Sequence, residues 1–235
     1  MCNGTEHKVP IVESYQHVGR LTTGDRQLKP DILMRSMQCS GALRPITTKC
    51  FRVPGIDVAQ KINIGRSHLF SILCVGASNW HSMNVAERKL YHTKAMTIWR
   101  SVLACHYLER QAADQPHLSD QQLIDKYRIL APQTMVSLLR LNLLARLIVK
   151  GSCSLKRSVF AARQSDKSWL KAVECDLAWM ATLTPEFEQY TTTEAWIKAI
   201  VLRPNHFKIW FKRATEDINA NQLTTTLQCA IDRPL

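Results

Sequence analysis

Between Asp57 and Leu103 the chain carries two amphipathic patterns separated by the corner Gly76-Ala77-Ser78-Asn79-Trp80-His81-Ser82. Val58, Ile62, Gly65, Leu69, Ile72 and Leu73 recur at the three-and-four spacing of a helix face. On the second arm Tyr91, Ala95, Ile98, Val102 and Cys105 do the same, with Met96, Trp99 and Leu103 widening the stripe. The pattern predicts two helices around a sharp corner. Asn84 followed by Glu87 is a capping-box start for the second arm, because each side chain can satisfy the other's backbone N–H. Gly76 can take the left-handed conformation that ends the first arm. Trp80 is then placed to fill the angle between the arms.

Upstream, Val9 to Val12 and Tyr15 to Leu21 have strand character, and Thr22-Thr23-Gly24-Asp25 supplies turn residues after the second. Lys29-Pro30 marks a helix start, Asp31 to Leu43 follows, and Pro45 is expected to end it. Thr47 to Gly55 reads as a basic loop carrying Lys49 and Arg52. Lys61 and Arg66 lie off the apolar face of the first arm.

Downstream, the polar stretch Glu109 to His117 is the expected subdomain boundary. Ser119 to Gln122 is a second capping box, opening a short helix with Leu123, Ile124 and Tyr127. Gln133 to Lys150 is the longest apolar helix, with Gly151 beyond its end. Shorter helices are expected from Leu155 to Arg163, from Ser165-Asp166 with the stripe Trp169, Val173, Leu177 and Met180, and from Thr191-x-x-Glu194 with Trp196 and Ile200. Asn205 starts a last helix, and a frayed tail is expected after Glu216. The expected fold is mainly α: a bundle-like helical region over residues 31–110, a small N-terminal β-hairpin within 1–30, a helical C-terminal region over 118–215, and a tail over 216–235.

At 46% hydrophobic residues, 235 residues can bury a real core. The formal charge of +12, with a pI near 9.5, favours polyanionic partners, nucleic acid first. The bland alternative is a solvated basic surface with no partner. No window is apolar enough for a membrane span, since the run Met135 to Val149 is interrupted by Arg140 and Arg146. The eight cysteines form no CxxC pair, several sit on apolar helix faces, and residues 1–20 lack an apolar leader, so reduced thiols in an intracellular compartment are expected.

Catalytic sequence motifs are missing, while a Ser/His/Asp or Cys/His arrangement, whose members need not be neighbours in sequence, stays open. Metal-assisted phosphoryl transfer needs paired carboxylates, and the only adjacent acids are Glu216-Asp217 in the polar tail. Cys105-His106 has no partner pair at zinc-ligand spacing, and there is neither a GxSxG elbow nor a Gly-rich phosphate loop. No cofactor is expected. The basic residues carry the better signal, because phosphate contacts need only positive donors at backbone spacing. Arg140, Arg146, Lys150, Lys156, Arg157, Arg163, Lys167 and Lys171 form one series, and Lys49, Arg52, Lys61 and Arg66 flank the corner region.

The corner region also resembles a known family. Leu69-Phe70-Ser71-Ile72-Leu73 through Gly76-Ala77-x-x-Trp80, then Glu87-Arg88-Lys89-Leu90, then Trp99-Arg100-x-Val102-Leu103, is similar to the region after the palm in non-LTR retrotransposon reverse transcriptases. Tyr15-Gln16-His17-Val18-Gly19 is similar to that family's aromatic-x-tyrosine-leucine-glycine motif, with His17 and Val18 at the second aromatic and the leucine. Val75 stands where the family has a tyrosine. The resemblance implies a thumb-like part that grips an RNA or DNA template–primer duplex beside a polymerase palm. Magnesium would belong to the palm, which this chain does not include, so the part would be non-catalytic. Tyr15, Gly19, Gly76, Trp80 and Trp99 would be its structural motif residues. A helical protein-interaction domain is the alternative. A third reading rests on His206-Phe207-Lys208-Ile209-Trp210-Phe211, which resembles the start of a homeodomain recognition helix but lacks its base-reading asparagine; Trp210 is therefore expected to be core.

Overall fold

A computed structural model describes residues 14–17, 20–23, 27–106, 110–111, 114–160, 168–183, 187–203, 207 and 209. In chain order the elements are β1 (Ser14–His17), β2 (Arg20–Thr23), α1 (Lys29–Ile46), α2 (Val58–Ile64), α3 (Ser71–Leu73), α4 (Val85–Val102), α5 (Asp120–Tyr127), α6 (Pro132–Lys150), α7 (Cys153–Phe160), α8 (Trp169–Ala181) and α9 (Thr193–Leu202). Wider, π-type turns at Thr47–Phe51 and Gly65–Phe70 extend α1 and join α2 to α3. The fold is mainly α, as its helical periodicities predict.

The corner forms as its residues require. Gly76 adopts φ +75°, a left-handed conformation that costs glycine little and turns the chain out of α3. Trp80 is fully buried behind it. Its Nε1–H donates to Asp31 Oδ2 at 3.0 Å, and its ring meets Tyr91 edge-on at 5.4 Å between centroids. Both capping-box bonds between Asn84 and Glu87 are present, at 2.8 and 2.9 Å. Glu87 Oε1 also accepts the Leu28 N–H at 2.7 Å, so one buried carboxylate ties the start of α4 to the start of α1. A further box, Asp57 with Gln60, opens α2.

Gly65 lets the first arm cross α4 closely: a Cβ there would meet both Val102 methyls at 3.2 Å and the Trp99 ring at 3.4 Å. Phe70 stacks on Trp99 with centroids 4.4 Å apart. Gly65, Leu69 and Leu73 are buried as the stripe predicts, but Val58 is 45% exposed, because α2 has only begun to approach the core at its first residue.

Several expectations are corrected. Pro45 does not end α1. It lacks an N–H for the Gly41 carbonyl, yet the helix continues to Ile46 and opens into the wider turn, where Arg52 N–H bonds to Thr47 O and Phe51 is fully buried. Lys49 therefore stands on a helical turn and not in a loop. The expected strand Tyr15 to Leu21 is two strands, with Gln16 opposite Leu21 and His17 opposite Arg20, and β2 lies against α1. Val9 to Val12 lies outside the described residues.

The polar stretch before α5 does not separate two cores. Leu123, Ile124, Ile129, Ala131 and Val136 join the core built by α1, the first arm and α4. The division runs along α6, whose later residues Leu141, Leu144 and Ile148 form a second core with Val173, Leu177 and Met180 of α8 and Trp196 and Ile200 of α9. The corner Ala77–Asn79 packs on α6, and Trp169 Nε1–H donates to Ser78 O at 2.6 Å. Ser168 caps α8 and Thr192 caps α9. Phe207 is buried in the second core; Trp210, Ser165-Asp166 and the tail lie outside the described residues.

Candidate nucleic-acid interface

Lys49 and Arg52 are exposed on and just after the first π-type turn, Lys61 is half-buried on α2, and Arg66 is exposed on the second π-type turn. Arg146 is exposed on α6, Lys156 is half-buried on α7, and Arg157 lies within α7. Arg163 and Lys167 lie outside the described residues, as does Gly19; Tyr15 pairs with Thr22 in the hairpin.

Arg140 is not part of any such surface. It is 3% exposed and doubly bonded to Asp176, Nε to Oδ2 at 2.6 Å and Nη2 to Oδ1 at 2.8 Å. Ser137 Oγ donates to the same Oδ1 at 2.7 Å. The helical spacing that sets Arg140 among leucines put it on the inward face of α6, where a guanidinium needs a carboxylate partner.

The positive charge is concentrated where the corner is. Residues 27–106 hold eleven Lys and Arg against three acids, Asp31, Asp57 and Glu87. Asp31 and Glu87 are 1% and 4% exposed, so Asp57 is the one exposed carboxylate in this range. On the basic side only Arg35 is buried, 3.5 Å from Asp31, and Arg100 is held by Asp120 at 2.6 Å. Lys29, Arg44, Lys49, Arg52, Lys61, Arg66, Arg88, Lys89 and Lys94 all remain at least partly exposed. Burial of the acids thus sharpens a surface that the sequence already biases. Arg44, Arg88, Lys89 and Lys94 are additions to the expected set, and a count of acids by segment could have found them.

Asp120 shows what a paired carboxylate does here. Burial pushes its carboxyl up, but hydrogen bonds from Arg100 and His92 outweigh that and hold it below the usual carboxylate range. It joins α5 to α4, with His92 Nε2 at 3.0 Å.

The interior thiols are poor nucleophiles. Burial, with Cys74 nearby, pushes Cys39 up to about 12; burial pushes Cys74 up to about 11 against its bond to the Tyr91 hydroxyl at 3.2 Å. The cysteines among the described residues are free. Among the described residues no group of three or more His, Cys, Asp or Glu is placed to hold a metal ion, and no helix is long and apolar enough to cross a membrane.

No protein-family model matches this chain, and neither a curated protein nor a solved structure matches it.

Proposed function

We propose that this chain is a non-catalytic helical module that grips duplex RNA or DNA through its phosphates, as the post-palm, thumb-like part of a non-LTR retrotransposon reverse transcriptase would. The observation that carries this reading is the charge balance of residues 27–106, where nine cationic side chains stay at least partly exposed and Asp57 is the one exposed carboxylate. Such a surface attracts a polyanion without reading its sequence, because each lysine or arginine replaces condensed counterions on a phosphate. The sequence similarity around Gly76, Trp80 and Trp99 supports the family reading, and the absence of an Asp-Asp pair from the sequence supports a gripping role over a bond-forming one.

The test is a salt titration of duplex binding by fluorescence anisotropy. The logarithm of affinity should fall by about 0.9 per phosphate neutralised as the logarithm of salt rises. Replacing Lys49, Arg52, Lys61 and Arg66 together by glutamine should flatten the slope by up to roughly four while the protein stays folded. No binding at low salt would overturn the proposal in favour of a helical protein-interaction domain. Sequence-specific binding lost on changing Lys208 and Lys212 would move the site to the last helix.

A further inference from the structure

Along the outer face of α1 and its π-type extension, a shallow groove of about 410 Å³ is lined by Ser40, Leu43, Arg44, Thr47, Thr48 and Arg52. Its lining is mostly apolar, supplied by Leu43, the threonine methyls and the arginine stems. The three hydroxyls donate back into the helix: Ser40 to Ser36 O at 2.8 Å, Thr47 to Leu43 O at 2.9 Å and Thr48 to Pro45 O at 3.3 Å. Arg44 and Arg52 are exposed at its rim. The helix surface beside Gly41 is open: a Cβ there would meet nothing within 4 Å.

An occupant of this groove meets an apolar floor and a cationic rim, with the hydroxyl protons already committed. That combination suits a ligand that is flat and apolar at one end and anionic at the other. A guanidinium can both pair with a phosphate and stack on a base, and base stacking tolerates any sequence. The surrounding surface already favours a nucleic-acid strand over an isolated small anion. An extended acidic peptide has backbone groups to satisfy, and the floor has few polar atoms to satisfy them.

We propose that this groove seats one unpaired nucleotide of a strand continuing beyond the gripped duplex, with its base on the Leu43–Thr47–Thr48 floor and its phosphate held by Arg44 and Arg52. This rests on the duplex-gripping reading for the neighbouring surface, but it makes a separate claim about unpaired nucleotides.

The experiment compares a blunt DNA duplex with the same duplex carrying a short unpaired extension, at either the 3′ or the 5′ end, by fluorescence anisotropy. One extension should tighten binding about tenfold, the effect of roughly one stacked base. An extension of abasic sites keeps the phosphate and loses the base, so its gain should be severalfold smaller. Thr48→Trp, which fills the groove, should abolish the gain while blunt-duplex affinity stays within about twofold. Arg44→Gln should cut the gain severalfold, and it decides the matter if circular dichroism shows Thr48→Trp misfolded. Equal affinity for blunt and extended duplexes overturns the groove assignment and leaves the duplex grip standing. A gain that survives abasic substitution undiminished, or that polyglutamate removes as efficiently as an oligonucleotide, overturns the nucleotide as occupant. If blunt duplex fails to bind but a single-stranded oligonucleotide binds and is weakened by Arg44→Gln, the duplex reading falls and the groove stands. Binding of neither overturns both.

Discussion

In the core around the corner, the buried carboxylate of Glu87 takes hydrogen bonds from neutral donors, the Leu28 and Asn84 amides, while Asp31 accepts from the Trp80 indole with the buried Arg35 3.5 Å away. In the core beyond α6, the buried carboxylate of Asp176 is matched by the guanidinium of Arg140. The chemistry of burial is similar, but the effect on the surface is opposite. Hiding Glu87 subtracts a negative charge with no cation beside it in its hydrogen bonds. Hiding Asp176 removes one charge of each sign. The region with neutral donors therefore shows solvent a more positive face than its composition suggests, and the other region does not. Surface charge follows from which side chains the core consumes as well as from how many the segment contains.

Four experiments probe the two regions, in decreasing order of expected effect. Trp80→Ala should destabilise by about 3–5 kcal/mol in urea unfolding, because it empties a fully buried ring site and takes the indole donor from Asp31. A loss below about 1 kcal/mol would show that the corner can collapse around the gap. Asp176→Ala should cost about 3 kcal/mol or more by leaving the Arg140 charge buried and unpaired. Pairing Asp176→Leu with Arg140→Met should restore stability to within about 1 kcal/mol. If the double variant stays as unstable as the single one, the ion pair is not the reason for the loss.

Gly65→Ala sets two effects against each other. Helix propensity favours alanine by about 1 kcal/mol, while contacts of 3.2 Å with Val102 and 3.4 Å with Trp99 predict overpacking of about 1–3 kcal/mol. We expect a net loss of about 1 kcal/mol, and a gain on thermal unfolding would mean that α4 yields easily. The smallest effect is that of Asp120. Its folded-state carboxyl titrates below its ordinary value, so its stabilisation is present above about pH 4 and is lost as pH falls through the folded value. The pair is partly solvent-exposed, so the contribution should stay below about 1 kcal/mol. Unfolding midpoints of wild type and Asp120→Asn should differ at neutral pH and converge in acid. A constant difference would assign the effect to geometry, not to charge.

Local signals were the legible ones. The arms, the Gly76 turn, the capping boxes at Asn84 and Ser119, and the start of α6 within a residue of Gln133 depend on contacts three or four residues apart, which spacing encodes directly. Pro45 misled because the missing N–H closes one helical option and leaves the wider turn open, and burial of Phe51 selects that turn. Lys49, Arg52 and Arg66 were legible as exposed because they fall off the apolar stripes, whereas Arg140 looked like its basic neighbours until a partner 36 positions away claimed it.

The amino-acid order alone determined the mainly helical class, the excess of positive charge and the segment that carries most of it, because periodicity and composition are properties of the chain before it folds. Tertiary structure alone decided that Asp31 answers Trp80 across 49 positions, that Glu87 answers Leu28 across 59, and that α6 belongs to two cores. These pairings join residues distant in sequence. The free energy of burying an unpaired polar group selects them only once the helices have brought the groups together.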